Sequence, residues 1–173
     1  MVELENGHQY YTFLKKKYLP FDLSKVKTFF GTPSFRNKPD NAFWSSPIDA
    51  EYGWKEWCER EDFEVDSYDW DNPVKWKLKD GSKVYRIYYE DVLKEGTSKL
   101  TKYLAENPLF KGSGIFEKCL DFELMLEDGI AAVELMDGSL GHRFINFLEM
   151  SFNSWDCESI VVLDETKIEI LEG

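Results

Sequence analysis

The four residues Ser46-Pro47-Ile48-Asp49 carry the strongest local instruction in the chain. A serine hydroxyl can accept from the unpaired N–H groups of a helix start. Proline's fixed φ suits the first helical position, and an acid in the first turn complements the helix dipole. Beyond them Ala50, Trp54, Trp57 and Cys58 recur at i, i+4, i+7 and i+8, so they share one helical face. The pattern predicts a helix over 47–60.

Other segments read in the same way. Residues 25–30 (KVKTFF) predict a strand closed by Gly31 and Pro33, and a short strand is expected at Val74–Leu78. Val84–Tyr89 and Ile130–Leu135 are β-branched or aromatic runs that favour strands. Ser159–Leu163 and Ile168–Leu171, parted by the turn Asp164–Lys167, read as a hairpin-like pair. Helices are expected over 9–18 before Pro20, Ser98–Glu106 before Pro108, and Leu140–Phe152. Another is capped by Ser113, buries Ile115, Cys119, Phe122 and Leu126, and ends at Gly129. There is no internal repeat, low-complexity tract or linker. Helices and strands mix without regular βαβ alternation, so the expected fold is α+β: one compact domain over 1–173, with mixed, mainly antiparallel sheets and several helices.

Composition bounds the function classes. Hydrophobic residues make up 43% of the chain, enough for a packed core despite the charge. No apolar run nears the roughly 18 residues of a membrane span. The acidic start, Met1 to Gly7, lacks the form of a signal peptide. Cys58, Cys119 and Cys157 are odd in number and far apart, which fits buried free thiols and a cytoplasmic location. His8 and His142 have no Cys or His partner at zinc-ligand spacing, so no metal site is expected.

The net charge is −12 and is polarised: residues 51–71 hold two basic and nine acidic groups, and residues 117–173 hold three and fourteen. Binding to nucleic-acid backbones needs clustered Lys and Arg; the balance here points away from it. Phosphate-loop glycine motifs and a G-x-S-x-G nucleophile elbow are absent from the sequence. A cysteine nucleophile would have to pair Cys119 or Cys157 with His142, and nothing in the spacing supports that.

Three segments, taken in order, resemble the ADP-ribosyltransferase-type folds. Phe29-Phe30-Gly31-Thr32-Pro33 resembles the strand-ending His-Gly-Thr motif that holds the NAD ribose and nicotinamide amide, with Phe30 in place of the usual histidine or arginine. Ala42-Phe43-Trp44-Ser45-Ser46, leading to Ala50 and Tyr52, is similar to the family's aromatic- or serine-containing strand and the helix after it. Glu158 to Asp164, then Ile168, is similar to the closing segment in which a catalytic glutamate opens a β-branched strand.

The resemblance implies NAD as substrate. It implies Phe30, Gly31, Thr32, Trp44, Ser45, Ser46 and Tyr52 as the residues that hold it, and Glu158 as the catalytic carboxylate, with Asp156 or Glu149 in that role if the strand register differs. Departure of nicotinamide builds positive charge on the ribose, which a fixed carboxylate stabilises. The implied activity is transfer of ADP-ribose to a macromolecular target, most naturally a protein, as a bacterial or phage effector would do. A different class remains open: a non-enzymatic acidic protein that occupies the basic, nucleic-acid-binding surface of a partner, drawn to it by long-range attraction.

Overall fold

A computed structural model describes residues 1–26, 38–39, 42–136, 150, 152 and 155–171. Ten strands run through the described residues: β1 (Val2–Leu4), β2 (Gln9–Thr12), β3 (Phe43–Pro47), β4 (Val74–Leu78), β5 (Lys83–Ile87), β6 (Leu104–Glu106), β7 (Lys118–Leu120), β8 (Ile130–Leu135), β9 (Ser159–Val162) and β10 (Ile168–Ile170). Three helices accompany them: α1 (Trp54–Glu61), α2 (Tyr89–Glu95) and α3 (Phe122–Glu127). The fold is α+β.

Eight strands form one sheet in the order β1-β5-β8-β9-β3-β2-β4-β10, and β6 pairs with β7 separately. Within the large sheet only β5 and β8 run parallel; every other neighbouring pair is antiparallel. A parallel pair needs a long crossover. Here the crossover holds α2, the 3₁₀ segment Gly96–Tyr103, the β6–β7 pair and α3. It covers one face of the sheet, where Val92, Leu100, Tyr103, Phe122 and Met125 pack on Tyr85, Ile87, Val133, Leu135 and Val161.

The other face folds onto itself. Val84 of β5 and Ile168 of β10 belong to one buried cluster with Tyr10, Phe43, Trp76, Leu78, Ala132, Ile160 and Val162. β4 ends at Leu78 and β5 begins at Lys83, five residues on, a reach of at most about 18 Å, yet five strand spacings of about 4.8 Å would set the two strands roughly 24 Å apart in a flat sheet. The sheet must therefore curl, as right-handed twist permits, and its concave side is a second core. Strand β9 has a core on both faces, which explains why Ser159–Val162 is buried throughout.

The strands expected at 74–78, 84–89, 130–135, 159–163 and 168–171 are present, with slightly different ends. Their partners differ from the expected hairpin: β9 pairs with β8 and β3, whereas β10 pairs with β4. Residues 9–12 form a strand in place of the expected helix. Tyr10 and Thr12 point inward and the Tyr-Tyr-Thr run suits a half-buried pleat. The helix expected over 98–106 is a 3₁₀ segment followed by β6. The helix expected after Ser113 begins only at Phe122. There the Asp121 side chain accepts from Leu124 N–H at 2.9 Å, while Cys119 lies in β7. Residues 27–30 of the first expected strand, and nearly all of the helix expected at 140–152, lie outside the described residues.

The helix expected over 47–60 starts seven residues late. Tyr10 pairs with Pro47 across β2 and β3, and Ile48 N–H donates to Gln9 O at 3.0 Å, so sheet pairing captures the segment. Ser46 still caps the helix from eight residues away. Its Oγ accepts from Trp54 N–H at 2.9 Å, and Glu56 accepts from Gly53 N–H at 3.0 Å. The approach is close: a Cβ on Gly53 would lie 3.0 Å from Ser46 Cβ.

Candidate active site

Two depressions flank the β3–β9 pair at the end where β3 finishes and β9 begins. The first is an aromatic cleft of about 270 Å³. Trp44, Trp54, Tyr68 and Trp155 supply its walls; Ser46, Cys157 and Ser159 supply polar atoms. Trp44 meets Trp155 edge to face, with centroids 4.8 Å apart and planes at 79°, an arrangement that locks both rings. Lys38 Nζ lies 5.3 Å from the Trp44 ring centroid and 3.8 Å from Asp156 Oδ2.

Cys157 Sγ is 3.3 Å from Ser159 Oγ and 4.0 Å from Ser46 Oγ. Burial pushes this thiol up to about 11. It is therefore protonated at neutral pH and makes a poor nucleophile. The cleft has aromatic walls and hydroxyl groups, and its thiol is not activated as a nucleophile.

The second depression, a hollow of about 720 Å³, opens toward the concave face. Asp49, Glu51, Glu134 and Glu158 line it with His8 and the backbone around Gly7 and Gln9. Strand alternation explains the placement, because Glu158 precedes β9 on the side opposite Ser159, which lines the cleft. Glu158 N–H donates to Tyr52 O at 3.1 Å. Burial, reinforced by the negative charges of Glu51 and Asp49, raises the Glu158 pKa above the usual carboxylate value.

Behind the hollow stands a buried ionic network. Arg86 donates through Nε to Glu134 at 2.8 Å, through Nη1 to Glu3 at 3.0 Å, and through Nη2 to Glu5 at 2.8 Å. Arg86 Nη2 also lies 3.0 Å from His8 Nδ1. Guanidinium can only donate, so the ring nitrogen is the acceptor in this contact. Tyr10 OH donates to the same Glu134 oxygen as Arg86 does, at 3.2 Å. Burial raises the Glu134 pKa, an effect the Arg86 charge opposes.

The residues expected from the sequence are thus divided. Trp44 and Ser46 meet in the aromatic cleft, while Glu158 lies in the hollow on the opposite face. Ser45 borders the cleft, but its hydroxyl is engaged behind it, accepting from Trp76 Nε1 at 2.9 Å and sharing a short hydrogen bond with Thr12 Oγ1. Tyr52 stands beside Glu158 through its backbone. Its ring lies 5.7 Å from the Arg60 guanidinium, and its buried hydroxyl has no hydrogen-bond partner among the described residues. Phe30, Gly31 and Thr32 lie outside the described residues.

Sequence reasoning missed Glu134, Arg86 and His8 at the hollow, and Tyr68 and Trp155 at the cleft. A signal did exist for two of them. Glu134 is the single charge in Ile130–Leu135 and Arg86 the single charge in Val84–Tyr89. Lone opposite charges in two buried strands have to find each other. Among the described residues no group of three or more His, Cys, Asp or Glu is placed to hold a metal ion, and no helix is long and apolar enough to cross a membrane. Compared with protein-family models, curated proteins and solved structures, the chain matches none.

Proposed function

We propose that this chain is an ADP-ribosyltransferase-like enzyme that uses NAD as a substrate and modifies a macromolecular target, most naturally a protein in the cytoplasm. In this reading the nicotinamide ring lies in the aromatic cleft and the attached ribose reaches over the sheet end toward Glu158. The carrying observation is that Ser46 and Ser159 line the cleft while their chain neighbours Pro47 and Glu158 line the hollow. One ligand can therefore touch both at the sheet end.

The chemistry follows from that placement. The bond between the ribose anomeric carbon and the nicotinamide nitrogen breaks, and nicotinamide leaves with the bonding pair as a neutral molecule. The ionised Glu158 carboxylate stabilises the positive charge left on the ribose. The target's nucleophile then bonds to the anomeric carbon and releases its proton to solvent. Trp44 and Trp155 offer ring faces and edges for stacking, and the Ser46 and Ser159 hydroxyls can serve the carboxamide.

The test is incubation with labelled NAD, with and without cell lysate, following nicotinamide release and label transfer. Release or transfer that disappears in Glu158→Gln supports the reading, and full activity in that variant removes Glu158 from it.

A second reading has its own observation. Glu56, Glu59, Glu61, Asp62, Glu64 and Asp66, in and after α1, are all exposed. Such a surface suits a non-enzymatic protein that covers a basic, nucleic-acid-binding partner. That reading requires affinity that falls steeply with salt.

A further inference from the structure

The aromatic cleft does not end at Trp54. Tyr11, Phe13, Ser46 and Trp54 also line a second compartment of about 330 Å³, which continues the cleft between β2, the β3–α1 connection and the Trp70–Pro73 segment. A second set of rings surrounds it. Phe13 and Trp70 have centroids 5.1 Å apart, and Trp70 in turn lies 4.8 Å from Tyr68 of the first compartment. The Trp70 ring is fixed, because its Nε1 donates to Val65 O at 2.7 Å. The rings of the two compartments thus form a continuous row.

Each compartment suits one planar ring system, and together they fall within the roughly 300–1,000 Å³ of small-molecule sites. The polar groups of the second compartment are distinct. Lys55 lines it and supplies positive charge. Glu56 Oε2 accepts from the Gly53 N–H, and Asp71 is a further acceptor available to an exocyclic amine.

We propose that the second compartment binds a purine-like base, so that the groove accepts a ligand of two planar rings joined by a phosphate-bearing linker. Phe13 and Trp70 hold the base, Asp71 receives its amine, and Lys55 offsets the charge of the linker. The assignment of a dinucleotide to the whole groove rests on the reading of the first compartment as the nicotinamide site. The base-binding assignment stands on its own geometry.

The experiment is calorimetric titration of the full chain with AMP, nicotinamide mononucleotide and NAD. The expected result is that AMP binds and competes with NAD. Trp70→Ala weakens AMP and NAD by about ten-fold, as loss of one base–aromatic stack does, and leaves nicotinamide mononucleotide unchanged. Trp70→Phe restores most of the loss, and Asp71→Ala, which touches the second compartment and not the first, gives an independent variant if Trp70→Ala fails to give a native circular-dichroism spectrum. AMP that does not bind, or that binds a folded Trp70→Ala protein as well as wild type, overturns the compartment. The two failures are separable. AMP binding that depends on Trp70 without any NAD turnover removes the proposed function and keeps the compartment; NAD turnover without AMP affinity does the reverse.

Discussion

Arg86 Nε donates to Glu134 Oε2 at 2.8 Å, and the two side chains are 3% and 1% exposed. Removing two charges from water costs several kcal/mol per ion, so an isolated pair at such depth adds little stability. This pair is not isolated. Glu3, Glu5 and Tyr10 complete the hydrogen bonding of the guanidinium and of Glu134. Through Glu5, which accepts from His8 N–H at 2.8 Å, the network also fixes the wall of the acidic hollow.

Arg86→Met is therefore expected to destabilise the protein by about 3–5 kcal/mol, since it leaves buried carboxylates without their cation. Adding Glu134→Leu should recover part of that loss, because the stranded charge is then gone. Urea unfolding of the two variants decides the point: a double variant no more stable than Arg86→Met would show that Glu134 is not the charge left stranded.

The cap of α1 gives a sharper geometric test. Ser46→Ala removes the acceptor for Trp54 N–H and should cost about 1 kcal/mol. Gly53→Ala places a methyl group 3.0 Å from Ser46 Cβ and should destabilise the wild-type background. In a Ser46→Gly background the obstructing carbon is absent and the cost should shrink. A double-mutant cycle by thermal or urea unfolding measures this coupling, and additive effects would contradict the close approach.

The thiols make a third prediction. Burial pushes Cys58 up to about 12, and Cys119 and Cys157 up to about 11, and all three are buried. None should react measurably with a disulfide reagent at pH 7.5 in the native state, and all three should react after unfolding. Rapid native labelling of Cys157 would mean that the aromatic cleft holds a reactive thiolate, which would revise its chemistry.

Much of the α+β character was legible because five strands carry their own β-branched or aromatic runs, Ile130–Leu135 and Ser159–Val162 most clearly. What the sequence hid was non-local. Ser46-Pro47 carries a helix-start signal, yet pairing with Tyr10 and Tyr11 of β2 holds it in a strand. Tertiary pairing outranks local capping there, and the serine fulfils its capping role across the intervening turn. The site divided for a similar reason. Glu158 and Ser159 are chain neighbours, but in extended chain they face opposite sides, so proximity in sequence separated them in space. Trp155 and Tyr68 reach the cleft from segments without a periodic signature: Trp155 precedes β9, the neighbour of Trp44's strand, and Tyr68 is bridged to Lys15 just beyond β2.

Glu158 supports the last prediction, in which stability and activity move in opposite directions. Its pKa is raised in the folded protein by burial and by Glu51 and Asp49. The native state therefore keeps this proton to a higher pH than the unfolded chain does. Between the ordinary carboxylate value and the raised one, stability from this group falls as pH rises; above that window the penalty is complete. Glu158→Gln removes it. The variant should be more stable than wild type at pH 7, and the gap should close as the pH falls through the ordinary carboxylate range, where both side chains become neutral. The proposed reaction needs the ionised carboxylate, so under that proposal NAD turnover should decline with falling pH earlier than an unshifted glutamate would dictate. Thermal unfolding across pH 4–8 and rates of nicotinamide release over the same range test both halves. A Gln variant that is less stable at pH 7 would assign Glu158 a structural role, whereas a more stable and inactive one is what the proposed catalytic carboxylate predicts.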